Sequence, residues 1–203
     1  MDLRQIAVPA TEPVLLSEAR AHLRVDDTAE DALIAGWITA ARMAVEDATG
    51  RAMLPQDWEL WLEEFPSRRV GSIWARSGEI VIPHAPLLSV SSVVTVAADG
   101  TETTLDEAAY QVVAPSGPIA QRGYIVPAAG TSWPITACGV AGAVRVRYQA
   151  GYPSLSAVPA PLKAAMLLMI GDLFEGREGA GEKARVENPA VARLLAPYRL
   201  WHL

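Results

Sequence analysis

Residues 26–50, "DDTAEDALIAGWITAARMAVEDATG", decide the fold of this chain because they predict one long amphipathic helix. Apolar side chains recur along the stretch at steps of three and four residues, the spacing of a single helix face. Gly50 suits the left-handed conformation that commonly ends a helix. We therefore expect a helix over 28–49 whose apolar face packs into a core and consists of Leu33, Ile34, Trp37, Ile38, Ala41, Ala44, Val45 and Ala48.

A shorter helix is expected just upstream, in "SEARAHLR" at residues 17–24. Ser17 is its expected N-cap, since a serine hydroxyl can accept a hydrogen bond from the free amides of the first turn. For the same reason, Asp27 or Thr28 is expected to cap the long helix.

The joint between these helices is dense in carboxylates, with Asp26, Asp27, Glu30 and Asp31 following His22 within ten positions. One interpretation is a metal or acid/base site, which would make the chain a metal-dependent hydrolase. Calcium loops, however, alternate carboxylates around a glycine, and "DDTAED" has neither feature. Acidic residues in the first turn of a helix interact favourably with the positive end of its dipole, and each stabilises the helix by about 0.3–1 kcal/mol. We favour this capping role for the acidic cluster.

The middle of the chain, about residues 56–150, has the alternating pattern of β-strands. In "WELWLEEF", Trp58, Leu60 and Leu62 alternate with more polar positions, and Trp61 on the wetter face suggests an interface. Asp99-Gly100 indicates a hairpin turn. Further strands are expected at residues 79–82, 89–96, 101–105, 110–113, 124–126 and 143–149.

Helical spacing returns at residues 161–175, and this helix is expected to pack against the long one. Residues 179–188 are charged and contain glycine, which indicates a flexible linker. Asn188 and Pro189 are expected to start a short helix that runs through Leu195. The residues from 189 to 203, called the C-terminal segment below, finish with "PYRLWHL". Free termini are usually polar and mobile, so the large apolar side chains of this segment are expected to be buried. Because the segment follows a flexible linker, it is well placed to be buried in another chain.

Composition limits the functions that the chain can have. A net charge of -6 argues against a protein that grips DNA phosphates. The single cysteine, Cys138, excludes an internal disulfide and a cysteine-rich metal site. No apolar run approaches the 20 or so residues that span a membrane, and no catalytic motif is present, so we expect no membrane contact, no cofactor and no metal.

The order of ordinary motifs suggests a family. "LLSEARAHLRVDDTAEDALIAGWITAARMAVEDATGRAM" is followed by "QDWELWLEEFP", "IVIPHAPLLSVSSVV", "DGTETTL", "YQVV", "VRVRYQAGYP" and "VPAPLKAAMLLMIGDLFEGRE". Spread over residues 13–178, this order resembles the head-to-tail connector proteins of long-tailed phages, also called adaptor or head-completion proteins, and their relatives in phage-like gene transfer agents.

Together, the pattern and the resemblance predict an α+β fold: a small helical bundle, an inserted antiparallel β-rich middle and an extended C-terminal segment. The expected organisation is a connector domain over 1–178, the linker over 179–188 and a docking segment over 189–203.

The resemblance implies a structural protein and not an enzyme. Such proteins form a ring, commonly of twelve copies, beneath the portal protein in the neck of a virion or phage-like particle, after assembly in the host cytoplasm. The ring extends the DNA channel without specific DNA binding and offers a surface to a stopper or tail-completion protein. In this family the C-terminal segment tends to engage the portal, and the matching segment here is residues 189–203. Its expected anchors are Leu194, Leu195, Tyr198, Arg199, Leu200, Trp201 and Leu203. Another neck or tail-completion component remains the alternative.

Overall fold

The computed structural model describes residues 1–66, 78–136, 139–176 and 188–200. These residues form two compact units. The β unit comprises Met1–Val8 and Pro55–Gly151, and the helical unit comprises Pro9–Leu54 with the described residues from Tyr152 onward. Cys138 lies outside the described residues.

Four helices make up the helical unit within its described part. The long helix α2 packs against α3, α3 packs against α4, and α1 contacts both α2 and α3. The helices are α1 (Leu16–Leu23), α2 (Asp31–Thr49), α3 (Ala160–Glu175) and α4 (Pro189–Leu195).

The apolar face of α2 forms much of the core, as its spacing predicts. Ile34, Ile38, Ala41 and Val45 are buried, and they pack with a stripe of α3 that includes Leu162, Ala165, Met166 and Ile170. Two predicted members of the α2 stripe, Leu33 and Ala48, are instead exposed. Leu33 lies at the edge of the stripe around the helix, and Ala48 lies in the last turn of α2.

The start of α1 differs from the prediction. The helix begins one residue earlier, at Leu16, so Ser17 lies inside the first turn and is not the N-cap. A carboxylate oxygen of Glu18 accepts the backbone N–H of Leu15, the actual N-cap residue, at 2.8 Å. Glu18 thus satisfies an amide at this helix start.

The predicted caps of α2 were also wrong. The helix begins at Asp31 and its N-cap is Glu30, whose side chain makes no capping hydrogen bond. The carboxylate of Asp27 accepts from the N–H of Ala29 at 2.9 Å, and the carbonyl of Thr28 accepts from the N–H of Asp31 at 3.2 Å. These bonds close a turn before the helix, so Asp27 and Thr28 shape the joint instead.

Two antiparallel sheets make up the β unit. One has the strand order β1-β2-β8-β4-β5, and the other has the order β3-β7-β6. The strands are β1 (Asp2–Ala7), β2 (Gln56–Leu62), β3 (Ile80–Val81), β4 (Leu87–Val96), β5 (Glu102–Thr104), β6 (Tyr110–Val113), β7 (Tyr124–Pro127) and β8 (Val144–Ala150).

Alternation along β8 places one face of the larger sheet in the core of the β unit. Val144, Val146 and Tyr148 are completely buried there. Leu60 of β2 lies opposite Val146 and is also buried, which confirms the predicted inward position of Leu60. Trp58 and Leu62, predicted to share that face, are only half-buried.

The predicted hairpin joins β4 to β5. Gly100 takes a positive φ of 85°, and the carboxylate of Asp99 accepts from the N–H of Thr101 at 2.9 Å. Only a residue without a side chain adopts that backbone conformation at little cost, which is why Asp-Gly marks such turns.

The α+β fold class is confirmed. Within the C-terminal segment the short helix predicted through Leu195 is present as α4, and a further turn, Ala196–Tyr198, continues it, so the segment is helical rather than extended up to Tyr198. No described helix is long and apolar enough to cross a membrane.

Candidate functional site

The described part of the C-terminal segment starts with a well-defined helix. The side-chain carbonyl of Asn188 accepts from the N–H of Ala190 at 3.1 Å and so caps α4. Pro189 occupies the first helical position, where a missing amide proton costs least. A further helical turn, Ala196–Tyr198, continues directly from α4.

Several of the predicted anchors in this segment pack into their own helical unit. Leu195 is 3% exposed and Leu200 is 8% exposed. Leu194 and Tyr198 are half-buried against the same core. Arg199 is exposed. The remaining two predicted anchors, Trp201 and Leu203, lie outside the described residues.

Backbone contacts fix the segment to the C-terminal end of α2. The N–H of Leu200 donates to the carbonyl oxygen of Thr49 at 2.8 Å. The Nε of Arg51 donates to the carbonyl oxygen of Tyr198 at 2.6 Å. Thr49, the last residue of the long helix, and Arg51, just after it, therefore hold a distant part of the chain against the last turn of α2.

Arg51 is an unusual residue for such a place because its side chain is only 1% exposed. Burial lowers the pKa of its guanidinium, and the neighbouring phenol of Tyr152 works against that shift. Burial also raises the pKa of Tyr152, an effect that Arg51 reduces. A charge taken out of water requires hydrogen-bond acceptors, and the Tyr198 carbonyl is one of those that Arg51 finds.

The acidic joint contains no metal-binding arrangement. Arg20 forms an ion pair with Asp31, with 3.5 Å between Nη1 and Oδ1, and it also donates to the carbonyl oxygens of Val25 and Asp26. Within the described ranges, no three His, Cys, Asp or Glu side chains are grouped to hold a metal ion. The joint is thus held by one arginine and a turn.

The histidines do not form a catalytic group in the described part of the chain. The ring of His84 packs on Trp58 with 4.3 Å between centroids. His22 lies in α1, in the other unit, and its Nε2 faces Gly171 of α3. His202 lies outside the described residues.

Trp61 is covered by side chains of its own unit. Two guanidinium groups lie over its indole ring, with the Cζ of Arg4 3.7 Å and the Cζ of Arg145 4.1 Å from the ring centroid. Its Nε1 donates to the carboxylate of Glu59 at 2.6 Å. These cation–π contacts stabilise the tryptophan on the wetter side of its strand, and the interface predicted at Trp61 stays a prediction.

The comparisons with known proteins agree with this fold. Residues 14–103 match the family model described as "Phage gp6-like head-tail connector protein". The stretch includes α1 and α2 of the helical unit and the strands from β2 to β5. No curated protein matches the chain in sequence.

Solved structures match over the whole chain. A chain in the neck of an empty gene transfer agent particle, computed with C6 symmetry, is 25% identical with a TM-score of 0.77, covering 100% of this chain and 97% of that one. A chain in the virion of a native gene transfer agent particle is 26% identical with the same TM-score and coverage. A chain in the neck of a native particle, computed with C12 symmetry, is 25% identical with a TM-score of 0.75 and again covers 100% and 97%.

The predicted resemblance to head-tail connectors is therefore confirmed, by the family model in sequence and by the neck structures in fold. The class that the fold and the matches define is a structural adaptor of the head-to-tail junction.

Sequence reasoning missed Thr49 and Arg51. A threonine and an arginine on either side of a helix-ending glycine resemble ordinary surface residues, so no local signal marks them. Their role depends on a contact with residues about 150 positions later, which a local pattern does not encode.

Proposed function

We propose that this chain is a non-enzymatic adaptor that joins the head to the tail in the neck of a virion or phage-like particle. The observation that carries the proposal is the match of both units, along their whole length, to a neck subunit. A likeness limited to a helix pair would support only a common fold. Here the sheet, the bundle and the C-terminal segment all lie within the matched length.

In this proposal the chain acts as a ring of copies, with twelve as the expected number. The matched neck structures were computed with six-fold and twelve-fold symmetry, which supports a cyclic assembly. Twelve copies at -6 each give a ring of about -72. A wall of that charge repels DNA phosphates, so DNA passes through without being held.

The head-side partner in this proposal is the portal protein, and the contact is made by the C-terminal segment. Its support is partly chemical, because tyrosine, tryptophan and arginine dominate the energy of protein interfaces, and all three occur among residues 198–201. The segment also starts from a rigid helix whose cap and packing hold it in one place.

The tail-side partner is a stopper or tail-completion protein, bound on the opposite surface of the ring. A neck component nearer the tail is the alternative within the same class of function. The position of the chain along the neck separates the two.

The hydrolase interpretation is not favoured by the acidic joint. A metal-dependent hydrolase needs carboxylates that converge on one point. Asp27 instead accepts a backbone N–H of the turn, and Asp31 pairs with Arg20.

The test is a complementation of particles that lack this chain. We expect such particles to be filled heads without tails, and the purified chain to restore tail attachment. Heads that also lack the portal protein are the matched control and should not be rescued. The proposal is wrong if tails attach normally in the absence of the chain.

A further inference from the structure

We infer that Arg51 is a positioning residue for the C-terminal segment, holding the backbone on both sides of Arg199 against the end of α2. The inference rests on the proposed function, because it concerns how the segment reaches the portal protein. It divides the described segment into a part that packs internally, with Leu195 and Leu200 as its buried residues, and an outward docking residue, Arg199.

The first support is geometric. Two hydrogen bonds, made at residues 198 and 200, hold the segment. Arg51 Nε donates to the Tyr198 carbonyl at 2.6 Å, and the Leu200 N–H donates to the Thr49 carbonyl at 2.8 Å. Both partners at the C-terminal end of α2, Thr49 and Arg51, are linked to each other and to the helix. The Thr49 hydroxyl donates to the Val45 carbonyl at 2.7 Å, and it accepts from the N–H of Arg51 at 3.3 Å.

The second support is energetic. A guanidinium at 1% exposure loses most of its hydration, which a protein tolerates only where acceptors are in place. A methionine would fill similar space without that cost. Arg51 also hydrogen-bonds the side chain of Tyr152, but its bond to Tyr198 is made with the main chain. Because that acceptor is a backbone carbonyl, the bond fixes the path of the chain at Tyr198.

The third support is the exposure of individual side chains. Leu195 and Leu200 are almost completely buried in their own unit, so they are not available to a partner in this structure. Arg199, between the two held backbone groups, is exposed. The arrangement turns one arginine outward while the backbone on both sides of it stays attached.

A protease experiment tests the positioning directly. Trypsin cleaves after arginine, and cleavage between Arg199 and Leu200 requires the two hydrogen bonds to open. For Arg51→Met we expect release of the peptide from Leu200 to be at least tenfold faster than for the unchanged chain, followed by mass spectrometry. The exposed Arg193 provides the matched control, since Arg193→Met should leave that rate unchanged.

A second control separates local release from a general loss of stability. Ile38→Val destabilises the core of the same unit by about 0.5–1.5 kcal/mol without touching the contact. If Ile38→Val accelerates release as much as Arg51→Met does, or if Arg51→Met releases the peptide at the original rate, the positioning role is overturned.

Attachment to portal-containing heads then links the contact to function. We expect Arg51→Met to bind these heads at least fivefold more weakly than Arg193→Met. If the full chain binds and Arg51→Met binds equally well, the inference is wrong while the proposed function stands. If the full chain itself does not bind, the proposed function is wrong, and the protease rates alone decide whether Arg51 positions the segment.

Discussion

The guanidinium Nε of Arg51 and the carbonyl oxygen of Tyr198 lie 2.6 Å apart, although 147 residues of sequence separate them. The contact closes the helical unit, since it ties the segment after α4 to the end of α2. It should therefore contribute to stability as well as to position.

Replacing Arg51 by lysine tests that contribution. Lysine keeps the positive charge but has a methylene where Arg51 has its Nε donor, so the Tyr198 carbonyl loses the donor at that position in a buried place. We expect a loss of about 1–3 kcal/mol in the free energy of unfolding of the helical unit, measured by urea denaturation. Arg193→Lys, on the surface of α4, should change it by less than about 0.5 kcal/mol. Equal stabilities for the two variants would contradict the importance of the contact.

Arg42 supports the other side of the helical unit. It is 6% exposed and donates to the carboxylates of Glu12 at 2.8 Å and Glu46 at 2.6 Å. For Arg42→Met we expect a loss of about 1.5–3 kcal/mol, because two acidic groups lose their charged partner. A double-mutant cycle with Glu46→Gln measures the pair directly. A coupling energy near zero would show that the two side chains act independently.

Gly142 is predicted to be intolerant of a side chain. Its φ is +69°, and an added Cβ would lie 2.4 Å from the ring of Trp61. Gly130 has a similar φ of +79° with nothing near its Cβ position, so it is the matched control. We expect Gly130→Ala to cost about 1–2 kcal/mol from the backbone alone, and Gly142→Ala to cost about 1–3 kcal/mol more from overpacking. Equal costs by urea denaturation would mean that Trp61 moves aside freely.

Tyr148 should make the β unit sensitive to alkali. Burial raises the pKa of its phenol, and its hydroxyl has no hydrogen-bond partner among the described residues. Because the folded-state pKa is the higher one, stability is complete below the unfolded-state pKa of about 10 and falls above it. Tyr148→Phe should flatten that fall by about 1.4 kcal/mol per pH unit above pH 10.

At pH 7 the same variant should lose no stability, since the deleted hydroxyl makes no bond to the described residues. Urea midpoints of both proteins at pH 7 and between pH 10 and 12 provide the measurement. Parallel curves for Tyr148→Phe and the unchanged chain would contradict the account.

Much of the fold could be predicted from the sequence because its signals are local. The stripe of α2 and its Gly50 cap, the prolines before α3 and the Asp99-Gly100 turn each depend on neighbouring residues. These elements appear within a few residues of their predicted bounds. Burial of Leu60 followed from alternation alone.

The parts that were missed depend on contacts between distant residues. Strand β1 has five exposed residues out of six, so it carries almost no apolar pattern, and its pairing with β2 defines it. The caps failed for a related reason: Asp27 and Thr28 were suited to capping, but the turn they form uses their hydrogen-bonding groups before the helix starts. For the candidate site, apolar composition indicated burial correctly, but the partner of Leu195 and Leu200 is their own unit.

The most direct test of the central claim is a cryo-microscopy reconstruction of the neck in particles that contain this chain. The account predicts a ring of copies between the portal and the tail-side proteins, with each C-terminal segment directed to the portal and Tyr198 held by Arg51. Density for the chain outside the neck, or a neck that is complete without it, would contradict the account.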